Sequence, residues 1–317
     1  MINFRFHLVS LVAVFLALAV GVVMGSTVID RAIVDGLHSQ INRIEAKADK
    51  AEADNADLRS EGRRLDDVVQ AELPHAVGNR LQGQSVAVLA VDGVNEGAVR
   101  STVELARQAG AQSTGILWVT DKFASSAHAD AQLAPLLADA GITGEGNART
   151  TTLAALAGLV AAGSGAEAQP SPEPLVRSLL QKGFLRYEAV GDQPSGFSSA
   201  KYPTAASRAI VVGGGGQKLA AKEGLAAITS ALHRAGVATV AAEAAPDDDP
   251  PSERGSEVAV VHDDHDLADT VSTVDDLERP EGRLAAVLAL ADLGDGRVGR
   301  YGYGAGAPRV VPERAAS

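Results

Sequence analysis

The chain has 317 residues and carries 28 Lys and Arg against 40 Asp and Glu, a formal net charge of −12. This balance excludes nucleic acid as an expected partner, because phosphate backbones are bound by basic surfaces. The chain has no cysteine and only two methionines. Disulfides, thiol catalysis, cysteine-based zinc sites and sulfur ligation of soft metals are therefore excluded as well.

The first 29 residues predict a transmembrane anchor. Residues 8–29 are almost entirely apolar, and residues 8–28 would span about 31 Å as a helix, which matches a bilayer core. A cleavable signal is the alternative, but the apolar run is longer than usual for one and no Ala-x-Ala site follows it. Arg5 precedes the span, so the positive-inside tendency places the N-terminus in the cytoplasm and residues 30–317 outside it.

Residues 30–74 predict a coiled coil. Apolar or small residues recur at alternating spacings of three and four from Val34 to Val69, with charges of both signs between them. Asn55 falls at a core position, where an amide fixes the register and the dimeric state, and Pro74 is expected to end the helix. An exposed helix that packs on the chain's own globular part is the alternative. The residues expected to hold a homo-oligomer together are Leu37, Ile41, Ile44, Asn55, Leu58 and Leu65.

Residues 75–317 predict an extracytoplasmic α/β domain with a Rossmann-like parallel sheet. Short, continuous apolar runs alternate with helical patterns, which is typical of a parallel sheet covered on both faces. Strands are expected at residues 85–91, 114–119, 184–190, 208–212, 237–241 and 257–261, and residues 271–276 precede the last helix. Helices are expected at residues 97–109, 129–140, 151–162, 175–182, 219–235 and 280–293. Loops are expected at residues 163–174, 191–206 and 246–253, and an irregular segment packed on the sheet at residues 299–306.

Two loops of this domain follow predicted strands, where ligands bind in α/β proteins. Four glycines at residues 213–216 lie between a strand and a helix and could cradle a phosphate. They match neither the dinucleotide nor the P-loop fingerprint, so a flexible turn is the alternative. Asp92 could ligate a cation or cap its loop. No G-x-S-x-G serine motif is present, and the sequence indicates no enzyme and no bound cofactor.

The densest set of potential metal ligands is a short run near residue 262. Imidazole and carboxylate groups suit Cu(II), Ni(II) or Zn(II) rather than Cu(I), and the two histidines are three residues apart. An ordinary acidic turn is the alternative interpretation. The predicted metal ligands are His262, Asp263, Asp264 and His265.

The N-terminal sequence MINFRFHLVSLVAVFLALAVGV, continuing with Met24, Gly25 and Ser26, resembles the copper-transport protein B (MctB) family of actinobacterial envelopes. The coiled coil, the strand at residues 86–91 and the stretch at residues 271–276 leading into residues 282–290 are also similar to that family. The resemblance implies a membrane-anchored envelope protein in copper efflux and homeostasis, described as an outer-membrane pore, with copper as the transported ion. It implies no particular copper ligand.

Two classes of function follow from these patterns. The first is a copper-transport or pore component, as the resemblance implies. The second is a coiled-coil structural or scaffold protein of the envelope without transport activity, and an α/β enzyme or ligand-binding module is a third. Outer-membrane barrels require many strands of alternating apolar and polar residues, whereas the predicted strands here are short and continuously apolar. The single apolar span also offers almost no polar lining for an ion.

Overall fold

The computed structural model describes residues 4–113, 115–161, 172–191, 206–245, 254–304 and 306–313. The chain divides into two compact units, Met1–Leu65 and Asp66–Ser317. The predicted domain limits at residues 29 and 74 stay predictions. Of the predicted loops, residues 246–253 and nearly all of residues 163–174 and 191–206 lie outside the described residues.

A long helix, α1 (Phe4–Val77), forms the N-terminal part of the chain. Its segment Phe4–Gly25 is long and apolar enough to cross a membrane. The prediction that Pro74 ends the helix is wrong, because α1 continues for three more residues to Val77. Leu73 and Val77 are buried in the second unit, and this burial offsets the hydrogen bond that proline cannot donate.

The second unit is built on a seven-stranded sheet with the order β3-β2-β1-β4-β5-β6-β7. All neighbouring strands are parallel except β2 and β3, which are antiparallel. The predicted α/β class is therefore confirmed, with an antiparallel edge that the sequence did not indicate. The strands are β1 (Val86–Val91), β2 (Gly115–Val119), β3 (Leu185–Ala189), β4 (Arg208–Gly213), β5 (Ala238–Glu243), β6 (Ser272–Val274) and β7 (Arg300–Tyr301).

Helices connect these strands, and most begin and end near the predicted residues. Side chains of the preceding residue cap three of them. Asn95 accepts the N–H of Ala98 and Ser126 accepts the N–H of Ala129, each at 3.1 Å, and Asn147 accepts the N–H of Thr150 at 2.9 Å. The helices are α2 (Glu96–Gln108), α3 (Ala127–Asp139), α4 (Ala148–Ala161), α5 (Glu173–Gln181), α6 (Leu225–Arg234), α7 (Ser256–His262) and α8 (Pro280–Asp292). Short 3-10 helices occupy Asp121–Phe123 and Leu293–Asp295.

The strand predicted at residues 257–261 is wrong, because these residues belong to helix α7. The physical cause is Glu243 at the end of β5, whose buried carboxylate accepts the backbone N–H groups of Gly255, Glu257 and Val258 at 3.0, 2.8 and 3.1 Å. These donors lack partners within the helix. A carboxylate that the tertiary fold places at the start of a helix stabilises that start. The short apolar run at residues 257–261 contains no sign of this contact, so the sequence pattern alone suggested a strand.

Two further predictions are corrected at their limits. The helix expected from residue 219 begins at Leu225, after a series of turns. Within the segment expected to be irregular, Arg300 and Tyr301 pair with Thr273 and Val274 of β6 and form the edge strand β7. Two residues are too few to produce a periodic signal, so the pairing with β6 decides this strand.

Candidate functional site

Asp92 and the four-glycine turn meet at the carboxyl ends of β1 and β4. The order of strands reverses between these two neighbours, and ligands of open α/β sheets bind at such a point. The Asp92 carboxylate pairs with Lys218 Nζ at 2.8 Å and with Arg186 at 3.4 Å. Burial raises the pKa of Asp92, but the hydrogen bonds and charges of Lys218 and Arg186 more than offset this and hold it below its ordinary value. Asp92 is therefore an ion-paired loop residue.

The glycines allow the loops after β1 and β4 to approach each other closely at this point. Gly93 and Gly216 have φ angles of 99° and 82°, and a Cβ on Gly93 would overlap the carbonyl oxygen of Gly216. The backbone N–H of Lys218 also donates to the carbonyl of Asp92 at 2.9 Å. The loops after β1 and β4 thus contact each other through their backbones. This backbone contact favours the turn over the phosphate cradle.

A network of charged side chains surrounds Trp118, the single tryptophan. The guanidinium of Arg186 lies 4.5 Å from the ring centroid, and the indole N–H donates to Glu188 at 3.0 Å. Arg186 also binds Glu96 at 2.7 Å, and Arg100 pairs with both Glu96 and Glu188. Sequence reasoning missed this network, because its members come from β2, β3 and α2. Every charge in it has an opposite partner, so it stabilises the edge of the sheet.

The predicted metal ligands lie at the end of α7 and in the turn after it. His262 Nε2 is 2.6 Å from Thr273 Oγ1, and burial lowers the pKa of His262. Asp264 accepts the backbone N–H of Asp266 at 3.0 Å, while Asp263 and His265 are exposed. Across the described residues, no group of three or more His, Asp or Glu side chains is arranged to hold a metal ion. The copper, nickel or zinc site therefore stays a prediction.

The residues predicted to associate two chains are exposed on α1. The five apolar side chains at these positions retain 49–66% of their surface. Asn55 donates from Nδ2 to the carbonyl of Ala51 at 2.8 Å, so its amide is held against its own helix. The five apolar residues are Leu37, Ile41, Ile44, Leu58 and Leu65.

A buried acidic cluster before α8 was not singled out from the sequence. The Asp275 carboxylate accepts the backbone N–H groups of Tyr303 and Gly304 at 2.8 and 2.9 Å. The neighbouring Asp276 is 0% exposed, and neither of its carboxylate oxygens has a hydrogen-bond partner among the described residues. Burial raises the pKa of Asp276 to about 7, with added repulsion from Asp275 and Glu278. Two consecutive aspartates in a sequence do not reveal which carboxylate will accept hydrogen bonds and which will be buried without them.

The fold therefore defines an α/β protein with one N-terminal helix that is apolar enough to cross a membrane. The chain belongs to the family described as copper transport outer membrane protein MctB, which matches residues 1–312. It is similar to the copper transporter MctB of Mycobacterium tuberculosis (strain ATCC 25618 / H37Rv), with 29% identity over 326 residues, 98% of this chain and 99% of the relative. The copper transporter MctB of Mycobacterium leprae (strain TN) is 30% identical over 332 residues, 99% and 100% of the two chains. The resemblance predicted from the sequence is confirmed.

Proposed function

We propose that this chain is a membrane-anchored cell-envelope protein that acts in copper transport and homeostasis. The observation that carries the proposal is the family match over residues 1–312. That match includes both the apolar N-terminal helix and the α/β domain, and the mycobacterial copper transporters are matched over nearly their whole length. The chain has no cysteine and only two methionines, so mainly nitrogen and oxygen groups would contact the copper, which favours Cu(II) over Cu(I) as the ion handled.

The anchor is proposed to cross one membrane, with the N-terminus in the cytoplasm and residues 30–317 outside. Support comes from Phe4–Gly25, an apolar helix of 22 residues that is not buried by the rest of the chain. Large apolar side chains exposed all round a helix are stable in lipid rather than in water. One such helix offers an ion almost no polar lining, so a pore through the anchor would require several chains.

We propose that a coiled coil on α1 joins two or more copies of the chain. The support is the exposure of apolar side chains at heptad positions, together with the charges of both signs between them. The partner is a second copy, because a repeat of 3.5 residues matches the same repeat on another helix. A coiled-coil scaffold of the envelope without transport activity would need the same exposure, but the family match favours copper transport.

The α/β domain is proposed to be Rossmann-like. Support comes from the reversal of strand order between β1 and β4, although the antiparallel β3 departs from that arrangement. The glycine contacts at the reversal point argue against a dinucleotide there.

The transport proposal predicts protein-dependent copper flux. Liposomes containing the purified full-length chain are expected to release or take up Cu(II) faster than protein-free liposomes. A variant lacking residues 1–28 is expected to give no flux, because it lacks the segment that inserts into the bilayer. The measurement is the quenching of an entrapped copper-sensitive dye after Cu(II) is added outside.

The control is a parallel measurement with Mg²⁺ and a magnesium-sensitive dye, which detects non-specific leakage. Insertion is verified by flotation of the liposomes, and folding by the fluorescence of Trp118. If the inserted and folded full-length protein produces no copper flux, the pore is excluded and the scaffold function is favoured. If the truncated variant conducts equally, the anchor has no part in transport.

The coiled-coil proposal predicts that two charges in the apolar seam separate the chains. The double variant Ile41→Asp, Leu58→Asp is expected to shift the full-length protein from an oligomer to a monomer, because carboxylates would be buried between helices. Sedimentation velocity in detergent measures the mass. Ala56→Asp adds a charge outside the predicted seam and is the matched control.

Because the natural chain lacks cysteine, cross-linking gives an independent readout. Leu37→Cys in the seam is expected to form a disulfide-linked dimer on mild oxidation, and Ala56→Cys far less of it. Equal masses for the wild type and the double variant, together with equal cross-linking at positions 37 and 56, would contradict the coiled coil.

A further inference from the structure

A groove with a volume of about 380 Å³ lies between α4, α6 and α7 of the second unit. This volume is within the range of small-molecule sites in proteins. Its apolar part is formed by Leu153 on α4, Ala226 and Ala227 on α6, and Val260 on α7. Two of these four residues are alanines, so the helices leave space between them. The groove is a cavity of suitable size with charged residues around an apolar floor.

One end of the groove is cationic. Arg149, near the start of α4, is buried, and its Nε donates to the carbonyl of Phe123 at 2.5 Å. Its guanidinium also donates to the carbonyl of Glu223, so its position is fixed beside Lys222, just before α6. The carboxylates of Asp130 and Glu223 attract Arg149 from outside the groove lining, and Asp130 also accepts the backbone N–H of Arg149 at 2.9 Å. The first turns of α4 and α6 add the partial positive charge of helix N-termini.

The acidic residues of the groove lie at its other end. Helices α6 and α7 follow the parallel strands β4 and β5, so both begin at the carboxyl edge of the sheet and run back towards its other edge. Asp263 and Asp264 follow the end of α7 and are therefore far along the groove from Lys222. Arg234 at the end of α6 also lies at this end of the groove. Together with Asp263 and Asp264 it gives this end a net formal charge of −1.

The opposite charges that face this groove are not paired with one another. Within the part of the chain that the structure describes, no ion pair joins Asp263 or Asp264 to Arg149, Lys222 or Arg234. Elsewhere in the same domain opposite charges do pair, as around Trp118. Separated charges of both signs around one cavity are suited to a ligand that carries both charges itself.

We propose that this groove binds a small zwitterion of the short-peptide class, with its carboxylate at Arg149 and Lys222 and its ammonium group at Asp263 and Asp264. The apolar floor accommodates a short aliphatic side chain. Two of the four residues predicted as metal ligands then recognise an ammonium group. This binding site is independent of the proposed role in copper transport, and neither depends on the other.

The test is isothermal titration calorimetry on the full-length protein in nanodiscs, with three related probes. These are the dipeptide alanyl-alanine, its N-acetylated form, which has no ammonium group, and its C-terminal amide, which has no carboxylate. The free dipeptide is expected to bind at least about tenfold more tightly than either blocked form, because each block removes a charge-assisted hydrogen bond.

Two substitutions test which end of the groove binds the carboxylate of the ligand and which end binds its ammonium group. Lys222→Ala is expected to reduce the preference for the free carboxylate over the amide, and Asp263→Asn is expected to reduce the preference for the free ammonium over the acetylated form. Each preference falls without vanishing, because Arg149 and Asp264 keep the second charge at each end. Both residues are exposed, so neither change removes core packing. Lys47→Ala on α1 and Asp139→Asn on α3 are matched controls at other exposed positions, and they are expected to bind as the wild type does.

The proposal is overturned if alanyl-alanine does not bind at millimolar concentration, or if the three probes bind equally well. It is also overturned if both variants retain the wild-type preference among the probes while the fluorescence of Trp118 shows that they are folded. Copper flux in the same variants is a separate measurement, so failure of the transport proposal does not affect this result.

Discussion

Replacement of Asp276 with asparagine is expected to stabilise the protein at pH 8 by up to about 4 kcal/mol. Asp276 is completely buried, and its carboxylate oxygens have no hydrogen-bond partner within the described residues. Burial and the neighbouring carboxylates of Asp275, Glu278 and Glu281 raise its pKa from 3.8 to about 7. A difference of about three pKa units corresponds to about 4 kcal/mol, and asparagine has nearly the same shape without a charge.

The sign of the effect follows from the two pKa values. In the unfolded chain Asp276 loses its proton near pH 3.8, whereas in the folded protein it retains the proton up to about pH 7. The free energy of unfolding therefore falls as pH rises from about 4 to about 7, and the full cost is present above pH 7. The advantage of Asp276→Asn is expected to shrink to about 1–2 kcal/mol at pH 5.

The measurement is guanidinium denaturation of the full-length protein at pH 5 and pH 8, monitored by the fluorescence of Trp118. Burial also raises the pKa of Glu243 to about 7, but this group titrates in both proteins and does not distinguish them. Asp275→Asn is the matched control and is expected to destabilise the protein, because the Asp275 carboxylate accepts two backbone N–H groups. A stability difference that is equal at both pH values would contradict the prediction.

Gly214→Ala is expected to destabilise the protein by about 3–5 kcal/mol. Gly214 has a φ of 143°, and a Cβ at this position would overlap the backbone of Ala244. The residue thus combines a backbone conformation that favours glycine with a contact to another backbone, which cannot move as a flexible side chain can. Thermal unfolding of the full-length protein measures the loss.

Gly236→Ala provides the matched control for this substitution. Gly236 also has a positive φ, 79°, but a Cβ there would meet nothing within 4 Å. Only the conformational cost is expected, about 1–2 kcal/mol. If the two substitutions cost the same, the contact between the glycine turn and Ala244 is not what requires glycine at position 214.

Part of the chain could be predicted because its signals are local. The apolar N-terminal segment, the heptad positions on α1 and the continuous apolar runs of β1, β2 and β4 each lie within one short stretch of sequence. Helices α2 and α8 begin within one residue of the predicted positions, because their starts carry the local signals Asn95 and Pro280. The family resemblance was also carried by contiguous residues, and the match over residues 1–312 confirms it.

The candidate sites could not be predicted in this way, because their residues come from distant parts of the chain. The sequence singled out the four glycines, Asp92 and the run from His262 as candidates for chemistry, but the structure uses the glycines and Asp92 to join two loops. The groove between α4, α6 and α7 was not predicted, since Arg149, Lys222 and Asp263 are far apart along the chain. No pattern within one segment records which helices will lie side by side.

The sequence by itself determined the apolar N-terminal helix, the α/β class and the family, because each depends on the order of neighbouring residues. Only the tertiary structure decided that residues 256–262 are a helix, that Asp276 is buried with no hydrogen-bond partner in the described part of the chain, and that separated charges line one groove. The reason is that a carboxylate such as Glu243 accepts hydrogen bonds from backbone N–H groups 12–15 residues away. Burial and charge pairing likewise depend on which distant segments the fold brings into contact.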